Sequence, residues 1–460
     1  MRLLDTTTFE VVTRQQGGIQ EPYAILSHRW LDGGEIKFED FGKHTAELKS
    51  GTNPSSSPQL DKIRGACEVA RGKNLRWLWM DTCCIDKRDT REYAEAINSM
   101  FSWYRSAKLC IAYLSDVIKQ DGNPTAGPEM FKSTERNGPS IWFSRGWTLQ
   151  ELLAPSELEF FDMNWKSMGT KRNLARVLAE VTGIDAQYHT GDKHLSEACV
   201  AVKMSWMSGR TTTCPEDMAY SMIGIFNINM TPVYGESGPR AFRRLQEIIL
   251  TSQSMDESLF AWKMPDANAG AKCDIIKADW APAEWGFLAG SPEWFEDCGD
   301  LQVSAGMSSK DRSFKMTPKG IEAPIRQNVH KGAGVLATET VSVIFWLSII
   351  GLPIGAIGLF VLRNMMNNKA KEDYAFRLNC FRPGANGKRE NVEIYLRPVA
   401  VEKVHYFRGM MKRTGTNALK PRVLPPYVEC KRIRCDELGW SSKPITNYGD
   451  GVAYQPQPAY

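Results

Sequence analysis

Tyr23 to Trp30 reads YAILSHRW. The run is apolar and partly β-prone up to Ser27, then stops at His28, Arg29 and the turn formers Asp32, Gly33 and Gly34. This pattern predicts a short buried strand ending in a loop with a structural or functional task. Residues 51–58 (GTNPSSSP) follow as a turn-rich loop. Ile63, Ala66, Cys67, Val69 and Ala70 then recur at helical spacing before Gly72. Trp77 to Ile85 (WLWMDTCCI) is a continuous apolar run broken only by Asp81, as expected of a strand covered on both faces. From Arg91 to Lys108, Tyr93, Ile97, Met100, Phe101 and Tyr104 mark an amphipathic helix, with Asp89 or Thr90 as its N-cap. Leu109 to Leu114 is a third strand. A Gly/Pro/Asn-rich connection over 120–140 leads to a helix from Trp142 to Leu153 and a fourth strand, Leu158 to Phe161.

Strands that alternate with helices predict an α/β fold with a mainly parallel sheet, flanking helices and right-handed crossovers. Ligands of such sheets bind beyond the carboxyl ends of the strands. Here those ends carry Ser27–Trp30, Asp81–Asp86 and Ser115–Asp116. The chain then reads as mostly helical, through 174–184, 198–206, 219–225 and 241–250, and beyond about 270 as β-rich, with short β-prone pieces at 320–325, 375–378 and 392–396. We expect domains at 1–168, 169–265 and 266–440, and a Pro/Tyr-rich disordered tail at 441–460.

With 460 residues the chain has room for two or three ordinary cores. Its 57 basic and 53 acidic residues leave a net charge of +4, which calls for no nucleic acid partner. Eleven cysteines without a CxxC pair or zinc-type spacing read as reduced, buried thiols, with no metal site. Cys83 and Cys84 are expected to pack on opposite faces of a strand end. The N-terminus has no signal-peptide core, so a cytoplasmic location is expected. Val341 to Leu362 carries no charge and is long enough for about 30 Å of helix. It is either a membrane span tethering the protein or a buried hairpin or helix broken by Gly351, Pro353, Gly355 and Gly358. If it spans, Arg363, Lys369 and Lys371 place the C-terminal tail in the cytosol. No GxxxxGK, HExxH, GxSxG or GxGxxG motif is present.

Four stretches together resemble the heterokaryon incompatibility (HET) domain of filamentous fungi: YAILSHRW at 23–30, WLWMDTCCIDK at 77–87, EAINSMFSWYRSAKLCIAYLSD at 95–116 and FSRGWTLQELLAP at 143–155. MAYSMIGIFNINMTPVYGE at 218–236, followed by AFRRLQEII, resembles the segment that follows this domain, so the resemblance covers about 1–262. It implies a TIR-like, flavodoxin-like fold and a cell-death effector of fungal non-self recognition. It implies self-association through the HET domain and a separate sensor protein, with the membrane as a further partner if 341–362 spans. In NAD-cleaving TIR domains a Trp-containing helix carries the catalytic glutamate; by resemblance that residue falls on Glu151, four positions after Trp147. NAD is then a substrate and no cofactor is implied. A carboxylate there would stabilise the oxocarbenium-like charge that develops as the nicotinamide bond breaks.

The remaining candidates are for substrate binding. Arg29 and Ser27 suit a phosphate or a ribose hydroxyl, or else anchor the loop. His28 is expected to titrate near neutrality, or to serve as a hydrogen-bonded structural residue. Trp30 and Trp147 either stack on an aromatic base or fill the core. Asp81, an acid within an apolar run, needs a partner and is expected to hold Arg29 or a backbone loop. Two other modes of action stay open: a non-enzymatic self-associating module, and a membrane-anchored effector acting through 341–362.

Overall fold

A computed structural model describes residues 1–13, 21–31, 33–50, 57–119, 127–252, 256–265 and 284–304, and strand segments within 315–433. The apolar stretch 341–362 and the tail 441–460 lie outside the described residues. Among the described residues no helix is long and apolar enough to cross a membrane.

The first compact unit comprises Met1–Ala198, Val202–Leu245 and Ser291–Gly299. Its sheet has seven strands: β1 (Arg2–Asp5), β2 (Val11–Thr13), β3 (Tyr23–His28), β4 (Trp77–Trp79), β5 (Leu109–Tyr113), β6 (Leu158–Phe161) and β7 (Ser167–Thr170). Their order is β2-β1-β4-β3-β5-β6-β7. The central four, β4-β3-β5-β6, are all parallel, while β1, β2 and β7 add antiparallel edges. From β3 the chain moves to β4 on one side, then returns across to β5 on the other. The order therefore reverses at β3, which is buried along its whole length.

Two long helices connect these strands. Pro58–Gly72 starts with proline in its first turn, where no N–H partner is needed, and the Ser57 side chain accepts from Leu60 N. Thr90–Ser106 is capped by Asp89, which accepts from the N–H groups of Arg91 and Glu92. The core is aromatic at its centre: Trp79 lies 5.5 Å from Trp103 and 5.8 Å from Tyr104. Trp142 packs edge-on against Phe160. Trp165 lies on the Pro58–Gly72 helix at Gly65, where an added Cβ would stand 2.1 Å from the indole.

Three local expectations need correction. The apolar run 77–85 is a strand only as far as Trp79; residues 81–84 turn, and the Cys84 N–H bonds Met80 O at 3.0 Å. Cys83 and Cys84 consequently do not part to opposite faces, and their sulfurs are 3.9 Å apart. The helix expected from Trp142 splits into a 3₁₀ turn, Ile141–Ser144, and a helix, Thr148–Leu153. The break has an evident cause. Thr211 inserts alongside it, donating to Ser144 O at 2.7 Å and accepting from Gly146 N at 2.9 Å. The antiparallel edge strands and the N-terminal hairpin are additions the sequence did not announce.

The second unit comprises Cys199–Ala201, Gln246–Gly290 and Asp300–Tyr460. It holds a five-stranded antiparallel sheet ordered Glu284–Trp285, Cys430–Ile433, Arg389–Pro398, Tyr374–Pro383, Gln302–Val303. Phe260 and Phe287 meet edge-on beneath it, and Gln246 exchanges two hydrogen bonds with the backbone of Ala289.

Candidate functional site

The pleat of β3 sends Ser27 and His28 to opposite faces of the sheet, and each meets a different environment. Ser27 is fully buried. Its hydroxyl donates to Glu151 Oε2 at 2.5 Å and accepts from Trp142 Nε1 at 2.9 Å. The Tyr104 hydroxyl, which donates to Leu26 O at 2.9 Å, also lies against this carboxyl. Glu151 is therefore a buried acid of the helix Thr148–Leu153. Burial pushes its pKa up to about 8; the hydrogen bond from Ser27, the adjacent Tyr104 hydroxyl and the charge of Arg145 hold it back, and the charge of Asp81 adds to the rise. At neutral pH it keeps its proton.

On the opposite face, the His28 imidazole is 1 % exposed and neither ring nitrogen has a hydrogen-bond partner among the described residues. Its Nε2 is 3.8 Å from Asp81 Oδ1, too far for a hydrogen bond. Burial, aided by the charges of Lys62 and Lys87 and opposed by Asp81, drives its pKa down to about 3. His28 is thus neutral under physiological conditions and does not titrate there as its ordinary pKa suggests. Beside it, Lys62 and Glu35 form an ion pair with both side chains almost wholly buried, and Glu35 also accepts from Leu31 N at 2.7 Å. Glu35 thereby fixes the loop after β3 onto the Pro58–Gly72 helix. Removing either partner would strand a buried charge, which costs about 3–5 kcal/mol.

Asp81 does not hold Arg29. It accepts from Trp30 Nε1 and from Lys87 Nζ, each at 3.0 Å, and the Lys87 ammonium lies 3.9 Å over the Trp30 ring. Burial alone would raise the Asp81 pKa, but Lys87 and the Trp30 hydrogen bond outweigh it and leave the carboxylate below its usual range. Trp30 remains 40 % exposed, so it is a surface aromatic and not core. Arg29 instead gives Nη1 and Nη2 to the two carboxylate oxygens of Glu135, each at 2.9 Å. Of this pair the Arg29 side chain is mostly buried and the Glu135 side chain 41 % exposed.

Trp147 donates through Nε1 to Asp217 Oδ2 at 3.0 Å, and Asp217 Oδ1 accepts from the Tyr234 hydroxyl at 2.8 Å. Tyr234 stacks on Tyr93 with ring centroids 5.8 Å apart. Trp147 is consequently a latch for the segment 210–236. Burial raises the Asp217 pKa against the two donors. Among the described residues no group of His, Cys, Asp and Glu side chains is placed to hold a metal ion.

The structure thus brings Ser27 and Glu151 together on one face, and His28, Arg29, Trp30 and Asp81 around the strand ends. It sets Trp147 apart. Sequence reasoning missed Trp142, Tyr104, Glu135, Lys62, Glu35 and Asp217. The pairing of Lys62 with Glu35 left a faint trace, a lysine on the apolar face of an otherwise regular helix. The others left none, because their roles depend on partners distant in the chain.

The family model for "Heterokaryon incompatibility protein (HET)" matches residues 23–138. The chain carries a HET domain. The HET domain so delimited contains β3, β4 and β5 with Ser27, His28, Arg29, Trp30, Asp81 and Glu135, whereas Trp142, Trp147 and Glu151 follow its end. The chain is also similar to the vegetative incompatibility protein HET-E-1 of Podospora anserina, with 41% identity over 229 residues. That match covers 50% of this chain but only 16% of the Podospora protein, so the chain spans a small part of its relative. No solved structure matches the chain significantly.

Proposed function

We propose that this chain acts in heterokaryon incompatibility as a cell-death effector of fungal non-self recognition, with the HET domain as its active module. The observation that carries this reading is the 41% identity to a vegetative incompatibility protein across half of the chain. Controlled expression of the full chain in a filamentous fungus tests it. Growth arrest and death on induction are expected; a strain that grows normally while the folded protein accumulates would overturn the proposal.

The order of the four parallel strands supports a TIR-like, flavodoxin-like reading. Numbered among themselves they run 2-1-3-4, the beginning of the doubly wound order. On that reading the effector cleaves NAD, and Glu151 supplies the carboxylate. Burial then keeps Glu151 in its neutral form while Ser27, held by Trp142, fixes its position, and the carboxyl must reach solvent and lose its proton before it can stabilise positive charge on a ribose ring. Self-association of the HET domain is the step proposed to expose it.

The burial of Glu151 favours a second reading, in which the domain signals by oligomerisation alone. The two separate in one assay: NAD consumption by the full chain at high protein concentration, wild type against Glu151→Gln. Turnover confined to the wild type supports cleavage; killing by both proteins without turnover supports the interaction module.

A further inference from the structure

The carboxyl ends of β3 and β5 flank the point where the order of the parallel strands reverses. Connections leave those two strands in opposite directions, and the crevice between them is the usual ligand position in such sheets. One ion pair spans it. Arg29 is the first residue past β3, and Glu135 sits on a loop tied to the end of β5. Asp116 makes that tie: it accepts from Ser133 Oγ at 2.7 Å, Ser140 Oγ at 2.5 Å and Ile141 N at 2.8 Å, and its carbonyl accepts from Thr134 N at 2.7 Å. The Arg29–Glu135 pair therefore bridges one strand end to the other.

Polar atoms without partners recur along the same edge of the sheet. Arg29 Nε, both ring nitrogens of His28, Thr82 Oγ1 and Ser115 Oγ are buried and have no hydrogen-bond partner among the described residues. Such atoms are rare in folded proteins, and these all lie at or shortly past the carboxyl ends of β3, β4 and β5. The local charges differ in how firmly they are held. Lys62 is matched by Glu35, whose side chain is 3 % exposed, and Lys87 by Asp81, which also holds Trp30. Of these three cations Arg29 is matched by the most exposed carboxylate, with the Glu135 side chain 41 % exposed.

We infer that this crevice is a binding site for a phosphoryl group, and that Glu135 occupies the guanidinium of Arg29 as a built-in competitor which the phosphoryl group displaces. A planar carboxylate takes the Nη1–Nη2 end of the fork and leaves Nε unused. A tetrahedral phosphoryl group has oxygens enough to engage the Nη–Nε side and to reach further donors at the strand ends. Neutral His28 offers one ring N–H, and Ser115 and Thr82 offer hydroxyls. Trp30, the next residue, is 40 % exposed, so a nucleotide attached to the phosphate would meet its uncovered part.

The inference rests on reading the carboxyl edge of the sheet as the functional edge, and not on NAD turnover. Titration calorimetry of the full chain with inorganic pyrophosphate and with ADP tests it, using wild type, Glu135→Gln, Arg29→Gln and Arg29→Lys. Glu135→Gln is expected to bind pyrophosphate roughly tenfold more tightly than wild type, because the competitor is gone while its size is kept. Arg29→Gln is expected to lose binding, and Arg29→Lys, which keeps the charge without the fork, to fall between it and wild type. If ADP binds more tightly than pyrophosphate the phosphoryl group is that of a nucleotide; equal affinities point to free phosphates. Equal binding by all four proteins, or none by Glu135→Gln, overturns the site. Killing without anion binding would sink this inference alone, and anion binding without killing would sink only the proposed function.

Discussion

A carboxyl group that keeps its proton at neutral pH makes stability depend on pH in an unusual direction. The folded-state pKa of Glu151, about 8, lies above its ordinary value of 4.5. Between these values the unfolded chain has released a proton that the native state still holds. Stability then falls as pH rises through that window, by at most ~1.4 kcal/mol per pH unit, and the contribution is constant below it. Glu151→Gln is uncharged throughout. Relative to wild type, the variant should gain roughly 2–4 kcal/mol of unfolding free energy between pH 5 and pH 8.5, measured by denaturant titration. A difference that stays flat with pH would show the carboxyl to be ionised already at pH 5. Of this site, the helical placement of Glu151 was legible in the sequence. Its protonation state was not, because that depends on Ser27, Tyr104 and Trp142 from three separate elements. For the same reason His28, which looks like a neutral-pH titrating group in sequence, turns out to be fixed in its neutral form by burial beside Lys62. Breaking the pair beside it, by Lys62→Met, should leave Glu35 buried without a counter-charge and cost about 3–5 kcal/mol. Unchanged thermal stability would place Glu35 in water instead.

Among the secondary-structure elements, the hairpin of β6 and β7 meets the helix Pro58–Gly72 through a close contact between a ring and a glycine. Trp165 stacks on Tyr113 with centroids 4.3 Å apart, and its other side rests where Gly65 has no side chain. Gly65→Ala should therefore cost about 1–3 kcal/mol through overpacking. In a background of Trp165→Leu the same substitution should cost much less, so a double-mutant cycle is expected to show clear coupling. Additive effects would mean that the indole moves aside freely. The parallel core was readable because each of its strands is an apolar run closed by polar or turn residues. The edge strands were not, since Val11–Thr13 and Ser167–Thr170 are short, half-exposed and carry no alternating pattern. The run 77–85 was read as too long a strand because the turn after Trp79 is itself buried: Cys83, Cys84 and Ile85 are as apolar and enclosed as a strand. Hydrophobicity reports enclosure there, and says nothing of backbone direction.

At the scale of the whole molecule, the first unit is assembled from three separated stretches, the last being Ser291–Gly299. Within it Trp294 and Phe295 are almost fully buried. Phe295→Ala in the full chain should thus cost about 3–5 kcal/mol, and hydrogen exchange should show the lost protection spreading through residues 1–245. Loss confined to 246–304 would show that the segment does not belong to the first unit. Composition and periodicity run along the chain and could suggest a change of character near 265, but a segment that returns after an excursion leaves no such mark. The returning segment also bears on how the protein is made. At roughly 5–20 residues per second, the ribosome needs about 2–10 s to pass from Leu245 to Ser291. Throughout that interval the nascent first unit lacks Trp294 and Phe295. The unit bearing the candidate site therefore closes only once part of the following unit has been translated, so that synthesis itself delays its completion.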